Sequence, residues 1–308
     1  MSQKLILILI LCSTVNIFGQ DSKPPNIVMM IGDGMGLSAI SSGMYSNNNY
    51  TSLERSEYIG LSKTHSFDDL VTDSAASATA MSSGVKTNNK VIGLDSNDNS
   101  VETILEMCIK LGYSTAIVVT SSIVHASPAS YYAHVENRYE YDKIANQLSK
   151  SKVDFFIGGG EKYFINRSDK RNLIKEMNKY YFPKNLDEYQ KSNSKKIGFL
   201  TAYEEPIKKF KNREPSLDKA VEITIQKLVD LDKPFFLLVE GSQIDWGSHD
   251  KDQKHMISEF IEFDKTIENV LDYAEKDKNT LVVVTADHET GGVAIVNGNL
   301  ENSKVINK

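Results

Sequence analysis

The sequence is poor in cysteine. It holds two, one at position 12 within the apolar N-terminal run and the other Cys108. Once the N-terminal segment is removed, a single thiol remains, which excludes an intramolecular disulfide framework. There is also no basic excess: 35 Lys and Arg against 41 Asp and Glu give a net charge of −6, and no nucleic-acid surface is expected. No apolar run is long enough to span a membrane. Internal repeats and low-complexity linkers are missing, and no histidine follows His288.

What is present begins with "MSQKLILILILCSTVNIFGQDS", which has one early Lys4, an apolar stretch from Leu5 to Cys12 and small polar residues ending at Gly19. This reads as an export signal at residues 1–19, cleaved after Gly19, with a periplasmic or secreted destination. Leu11 is too bulky for the small residue that a lipoprotein processing site wants before its cysteine, so no lipid anchor is expected. With 40% hydrophobic residues, residues 20–308 can build a sizeable core.

Nearly continuous apolar runs occur at Asn26–Ile31, Ser114–Thr120, Asp154–Gly158, Pro234–Glu240 and Thr280–Ala286, as expected of strands covered on both faces. Amphipathic segments at Val101–Leu111, Ser216–Leu231 and Lys254–Lys276 lie between them. This alternation predicts an α/β three-layer sandwich with a mostly parallel central sheet flanked by helices. The charged region from about 161 to 214 breaks the pattern and reads as an insertion on one edge of the same domain.

Ligands of open α/β sheets bind beyond the carboxyl ends of the strands. Three of the predicted strands run into carboxylates there: Asp33 in "GDGMG", Glu240 with Asp245 and His249 in "EGSQIDWGSHD", and Asp287 with His288 in "ADHETGG". A lone Asp after a strand is a routine helix cap, but three such ends, two with a histidine, favour a borderline cation such as zinc. Asp245 and His249 form an i, i+4 pair on a helical turn. His65 and His255 lack this arrangement and read as ordinary histidines.

Two further stretches carry candidates. In "TDSAASATA", Asp73 and Ser74 read most simply as the start of a well-capped alanine-rich helix, and more sharply as a serine nucleophile on a helix N-terminus. In "HASPASYYAHVENR", Pro128 suits a first helical turn capped by Ser127, and Arg138 suits a bidentate clamp on phosphate. Alone, Arg138 would read as a surface arginine.

Taken in chain order, "MIGDGMG", "TDSAASATA", "HASPASYYAHVENR", "VEGSQIDWGSHD" and "TADHETGG" resemble the alkaline phosphatase family from about Asn26 to Gly292. The resemblance implies a metal-dependent phosphomonoesterase that works through a phosphoserine, with two zinc ions and one magnesium ion. It implies Ser74 as nucleophile, preceded by Asp73, and Arg138 as phosphate clamp. Asp33, Ser74, Asp287 and His288 would make up the second zinc site, which would hold the serine as an alkoxide, an activation that no nearby histidine provides. Asp245 and His249 would hold the first zinc, and Asp33, Ser127 and Glu240 the magnesium. His125 and Trp246 would tune the metals from behind. Substrates would be small phosphate monoesters, and family members often pair as homodimers.

The family's first zinc has another histidine ligand, from a motif well after "TADHETGG". Here no histidine follows His288, and His65, His134 and His255 are poor substitutes. The sequence therefore reads as a partial chain whose first zinc site is incomplete and whose turnover is poor. Rival readings are a superfamily phosphodiesterase or mutase, and a non-catalytic metal- or phosphate-binding remnant. A sulfatase is disfavoured because the spaced Pro and Arg of its modified nucleophile are missing.

Overall fold

Six strands appear in the computed structural model, which describes residues 23–295: β1 Asn26–Gly32, β2 Ser114–Ser122, β3 Phe155–Gly159, β4 Ile197–Leu200, β5 Phe235–Gly241 and β6 Thr280–Ala286. They pair side by side, all parallel, in the order β4-β3-β2-β5-β1-β6. The helices are α1 Leu37–Ser46, α2 Ser74–Ser83, α3 Ile104–Lys110, α4 Ala126–Ala129, α5 Tyr141–Lys150, α6 Lys162–Ile165, α7 Leu173–Glu176, α8 Leu186–Lys191, α9 Leu217–Val229, α10 Gln243–His249 and α11 Gln253–Asp277. The expected export signal lies outside the described residues.

Side-chain alternation along the strands builds one core on each face of the sheet. Val28, Met30, Val118, Leu237 and Val239 pack with Val221 of α9 and with Phe260 and Phe263 of α11. Ile31, Ile117, Val119, Phe236 and Leu238 pack with Leu105 of α3 and with Ile144 and Leu148 of α5. Every residue of β2 and β5 is buried, which is why these segments read as unbroken apolar runs. The fold is the predicted α/β sandwich with a parallel sheet. Among the described residues, no helix is long and apolar enough to cross a membrane.

Three details differ from the sequence expectations. The helix expected from Val101 starts at Ile104, because Thr103 Oγ1 accepts from Glu106 N–H at 3.2 Å while Glu106 Oε2 accepts from Thr103 N–H at 3.0 Å. That reciprocal cap makes Thr103 the N-cap from which the helix starts. The charged segment at 161–214 supplies β4, a four-residue edge strand too short to show a period. Finally, β6 was expected to be covered on both faces. Its Val282 and Val284 pack on the first core, but Leu281 and Val283 are 54% and 38% exposed.

Register fixes what stands at the sheet's carboxyl end. Gly32 pairs with both Gly241 and Ala286, and Glu240 lies between Ile31 and Val119. The strand ends are level, so Asp33, Glu240 and Asp287 emerge together although they are far apart in sequence.

Candidate active site

Asp73 caps α2: its Oδ1 accepts from Ala76 N–H at 3.0 Å and from Lys90 N–H at 3.1 Å. Ser74 is the first residue of that helix and is 5% exposed. Asp73 is thus the expected cap, and the serine hydroxyl stands at the helix N-terminus, where the dipole favours negative charge.

His288 Nε2 faces that hydroxyl at 3.3 Å, which corrects the expectation that no histidine is near the serine. The same nitrogen lies 3.6 Å from Asp33 Oδ1 and 3.2 Å from Asp287 Oδ2. On the far side of the ring, Nδ1 lies 3.1 Å from Glu289 O, an oxygen that can only accept. Thr290 Oγ1 lies 3.0 Å from the same Nδ1, so that side of the ring is engaged while Nε2 faces the serine hydroxyl and the carboxylate oxygens.

Four carboxylates surround this point. Ligand atoms of Asp33, Asp245 and His288 lie within 4.8 Å of one another. Asp33 is fully buried and neither of its oxygens has a hydrogen-bond partner, and Asp245 Oδ1, Asp287 Oδ2 and Glu240 Oε1 are likewise buried and unpartnered. Asp287 is held by its other oxygen, which accepts from Gly34 N–H at 2.9 Å. Gly34 has φ +66°, and a Cβ there would come 2.8 Å from the Asp245 Cα, so the turn after β1 needs glycine.

The electrostatics follow from that crowding. Burial first, then the charges of Asp287, Asp245 and Glu240, push the Asp33 carboxyl well above its ordinary range. Burial also raises Asp287. The Glu240 carboxyl is pushed up to about 7 by burial, against hydrogen bonds from hydroxyls that pull it down. Its Oε2 accepts from Ser242 Oγ at 2.5 Å and Ser121 Oγ at 3.4 Å. Several unpartnered carboxylate oxygens crowded together away from water are unfavourable without a cation, and with the His288 ring nitrogen this nitrogen–oxygen donor set fits divalent metal ions.

Arg138 donates from Nη1 to Asp73 Oδ2 at 3.0 Å and from Nη2 to His125 Nε2 at 3.5 Å. It sits in irregular chain beyond α4, a helix only four residues long. Burial and the neighbouring guanidinium bring the His125 pKa down to about 3, so this ring is neutral and its Nε2 accepts. Its edge meets the ring of Trp246 at 5.7 Å between centroids.

Two expectations are altered. Ser127 is no helix cap: it lies inside α4, and its buried hydroxyl has no hydrogen-bond partner. His249 does share α10 with Asp245, 3.5 Å from its Oδ1, but its side chain is 69% exposed and it is not part of the Asp33–Asp245–His288 group. His134 is engaged with Glu106 at 3.0 Å, and His255 is buried beside Gln243. Sequence reading missed Ser121, Ser242 and Gln243, short polar residues that carry no signal until the strand ends are aligned.

A model of the alkaline phosphatase family matches residues 24–306. The chain belongs to the alkaline phosphatase family. Alkaline phosphatase 4 of Bacillus subtilis is 40% identical over 88% of this chain and 62% of its own length. For alkaline phosphatase 3 of the same organism the values are 38%, 90% and 63%. The chain thus spans under two thirds of these relatives. The solved alkaline phosphatase of the Antarctic bacterium TAB5 superposes with a TM-score of 0.85 at 41% identity, covering 88% of this chain and 81% of that one. A mutant of it is solved with magnesium bound.

Proposed function

We propose that the chain is the catalytic frame of a metal-dependent phosphomonoester hydrolase with Ser74 as nucleophile. The observation that carries this reading is the buried set of unpartnered carboxylate oxygens beside His288 Nε2, which itself faces the Ser74 hydroxyl. Asp33, Asp287 and His288 would hold one zinc ion beside Ser74, and Asp245 and His249 a share of a second. Asp33, Ser127 and Glu240 would hold magnesium, the ion named in the mutant TAB5 structure. Bound there, such cations supply charge neutralisation of the entering and leaving oxygens.

The chain's own residues do the rest. Arg138, oriented by Asp73, binds two oxygens of the phosphoryl group through its fork. Ser74 Oγ loses its proton and forms a bond to phosphorus as the bond to the alcohol oxygen breaks, and that oxygen leaves protonated. Water then attacks the phosphoserine, the Oγ–phosphorus bond breaks, and inorganic phosphate departs as the serine regains a proton. The helix N-terminus favours the anionic oxygen at both stages. His125, neutral between Arg138 and Trp246, adds no like charge beside the guanidinium.

The test is to incubate the chain with 4-nitrophenyl phosphate, zinc and magnesium, quench in acid and map phosphorylation by mass spectrometry. Phosphate on Ser74, lost together with turnover in Ser74→Ala, is the expected result. A chain that binds the ester without labelling Ser74 would be a binding remnant, and a matched diester cleaved faster than the monoester would make it a diesterase.

A further inference from the structure

We propose that Gln243 is a positioning residue, one that sets where Glu240 and Asp245 stand by tying the turn between β5 and α10 to three separate segments. This rests on the reading above that those carboxylates hold cations.

Gln243 is 1% exposed. Its Nε2 donates to Thr120 O at the end of β2 and to Pro206 O in the loop after β4, both at 2.8 Å. Its Oε1 lies 3.0 Å from His255 Nε2 on α11. Both carbonyls can only accept, so the amide has a single consistent orientation, and His255 Nε2 must carry the proton donated to Oε1. All three bonds are made away from water, where a lost partner costs most.

The same turn has a fourth tie, Ser242 N–H to Thr120 Oγ1 at 2.8 Å. Behind it, Arg213 grips Glu259 with both ends of its fork, at 2.9 and 2.6 Å, and also donates to Ile207 O, so the loop that offers Pro206 O is itself anchored.

The inference turns on what the ligand candidates lack. Asp245 Oδ1 and Glu240 Oε1 have no hydrogen-bond partner, and these are the oxygens free for a cation. Glu240 is steadied through its other oxygen by the hydroxyls of Ser242 and Ser121, and beyond that the placement of both carboxylates depends on the backbone that carries them. Gln243 lies three residues after one and two before the other, and its three bonds pin that backbone to β2, to the loop and to α11. Residues that hold a metal ligand from behind typically contribute roughly 10- to 100-fold to metal affinity.

The experiment strips the full chain of metal, titrates it with zinc by calorimetry, and compares Gln243→Met with Leu228→Ala, a buried α9 control of similar melting-temperature loss. The expected result is roughly tenfold or greater weakening of zinc in Gln243→Met and wild-type affinity in the control. Wild-type zinc affinity in Gln243→Met, or equal weakening in the control, overturns the proposal. Should Gln243→Met not fold, His255→Gln, which keeps a donor toward Oε1, must bind zinc better than His255→Leu; equal affinities overturn it. A wild-type chain that binds zinc without labelling Ser74 defeats the phosphatase reading and leaves this comparison intact.

Discussion

Asp73 does two jobs with one carboxylate: Oδ1 caps α2 and Oδ2 holds Arg138. Asp73→Ala should therefore lower stability by about 0.5–2 kcal/mol through the lost cap. It should also raise the inhibition constant of inorganic phosphate, because Arg138 keeps only the long contact to His125. Paired melting and inhibition measurements would check this, and an unchanged phosphate constant would show that Arg138 needs no tether. Such sharing is invisible in sequence, where Asp73 and Arg138 are 65 positions apart. The residue types were legible because Asp33, Asp287 and His288 sit where strands run out. The free hydroxyl of Ser127 was not, because local rules make Ser before Pro a cap, and its other use came from the family resemblance alone.

At the scale of elements, the start of α3 is locked to the loop that leads to Arg138. Glu106 accepts from Thr103 N–H with one oxygen and lies 3.0 Å from His134 Nε2 with the other, while His134 Nδ1 contacts Gly93 O. Hydrogen bonding to Glu106 raises the His134 pKa above its usual 6.5 despite partial burial. A folded-state pKa above the unfolded one means that this stabilisation is complete below about pH 6.5 and fades as the pH rises through the raised value. His134→Leu should thus lower the melting temperature more at pH 5.5 than at pH 9. An equal loss at both would show the pair to be neutral. The sequence exposed the long elements well, since β2 and β5 are buried throughout and α11 has a clear apolar face. It hid β4 and the true start of α3, where length and capping geometry outweigh periodicity.

For the whole molecule, the buried carboxylate cluster is a stability cost that bound cations would convert into a gain. A cation present at 100 times its dissociation constant adds about 2.7 kcal/mol to folding. Chelation should lower the melting temperature of the wild-type chain. In metal-free protein, Asp33→Asn should melt higher than wild type, because it removes a fully buried, partnerless carboxylate, and with zinc and magnesium the order should reverse. If Asp33→Asn melts lower in both conditions, the carboxylate has a structural role apart from metal. The fold class was legible because a parallel sheet demands apolar strands separated by helices. The site's assembly was not, since it depends on register across strands rather than along any one of them.

The position of β1 has one more consequence. It pairs with β5 on one side and β6 on the other, yet it precedes both by some two hundred residues. During synthesis, Val28 and Met30 and both edges of their strand must wait without partners until the segments ending at Gly241 and Ala286 leave the ribosome. Nothing of the Asp33–Asp287 pair can form before then, so capture of the zinc proposed for that pair must wait for β6, and no intermediate that lacks β6 should hold it.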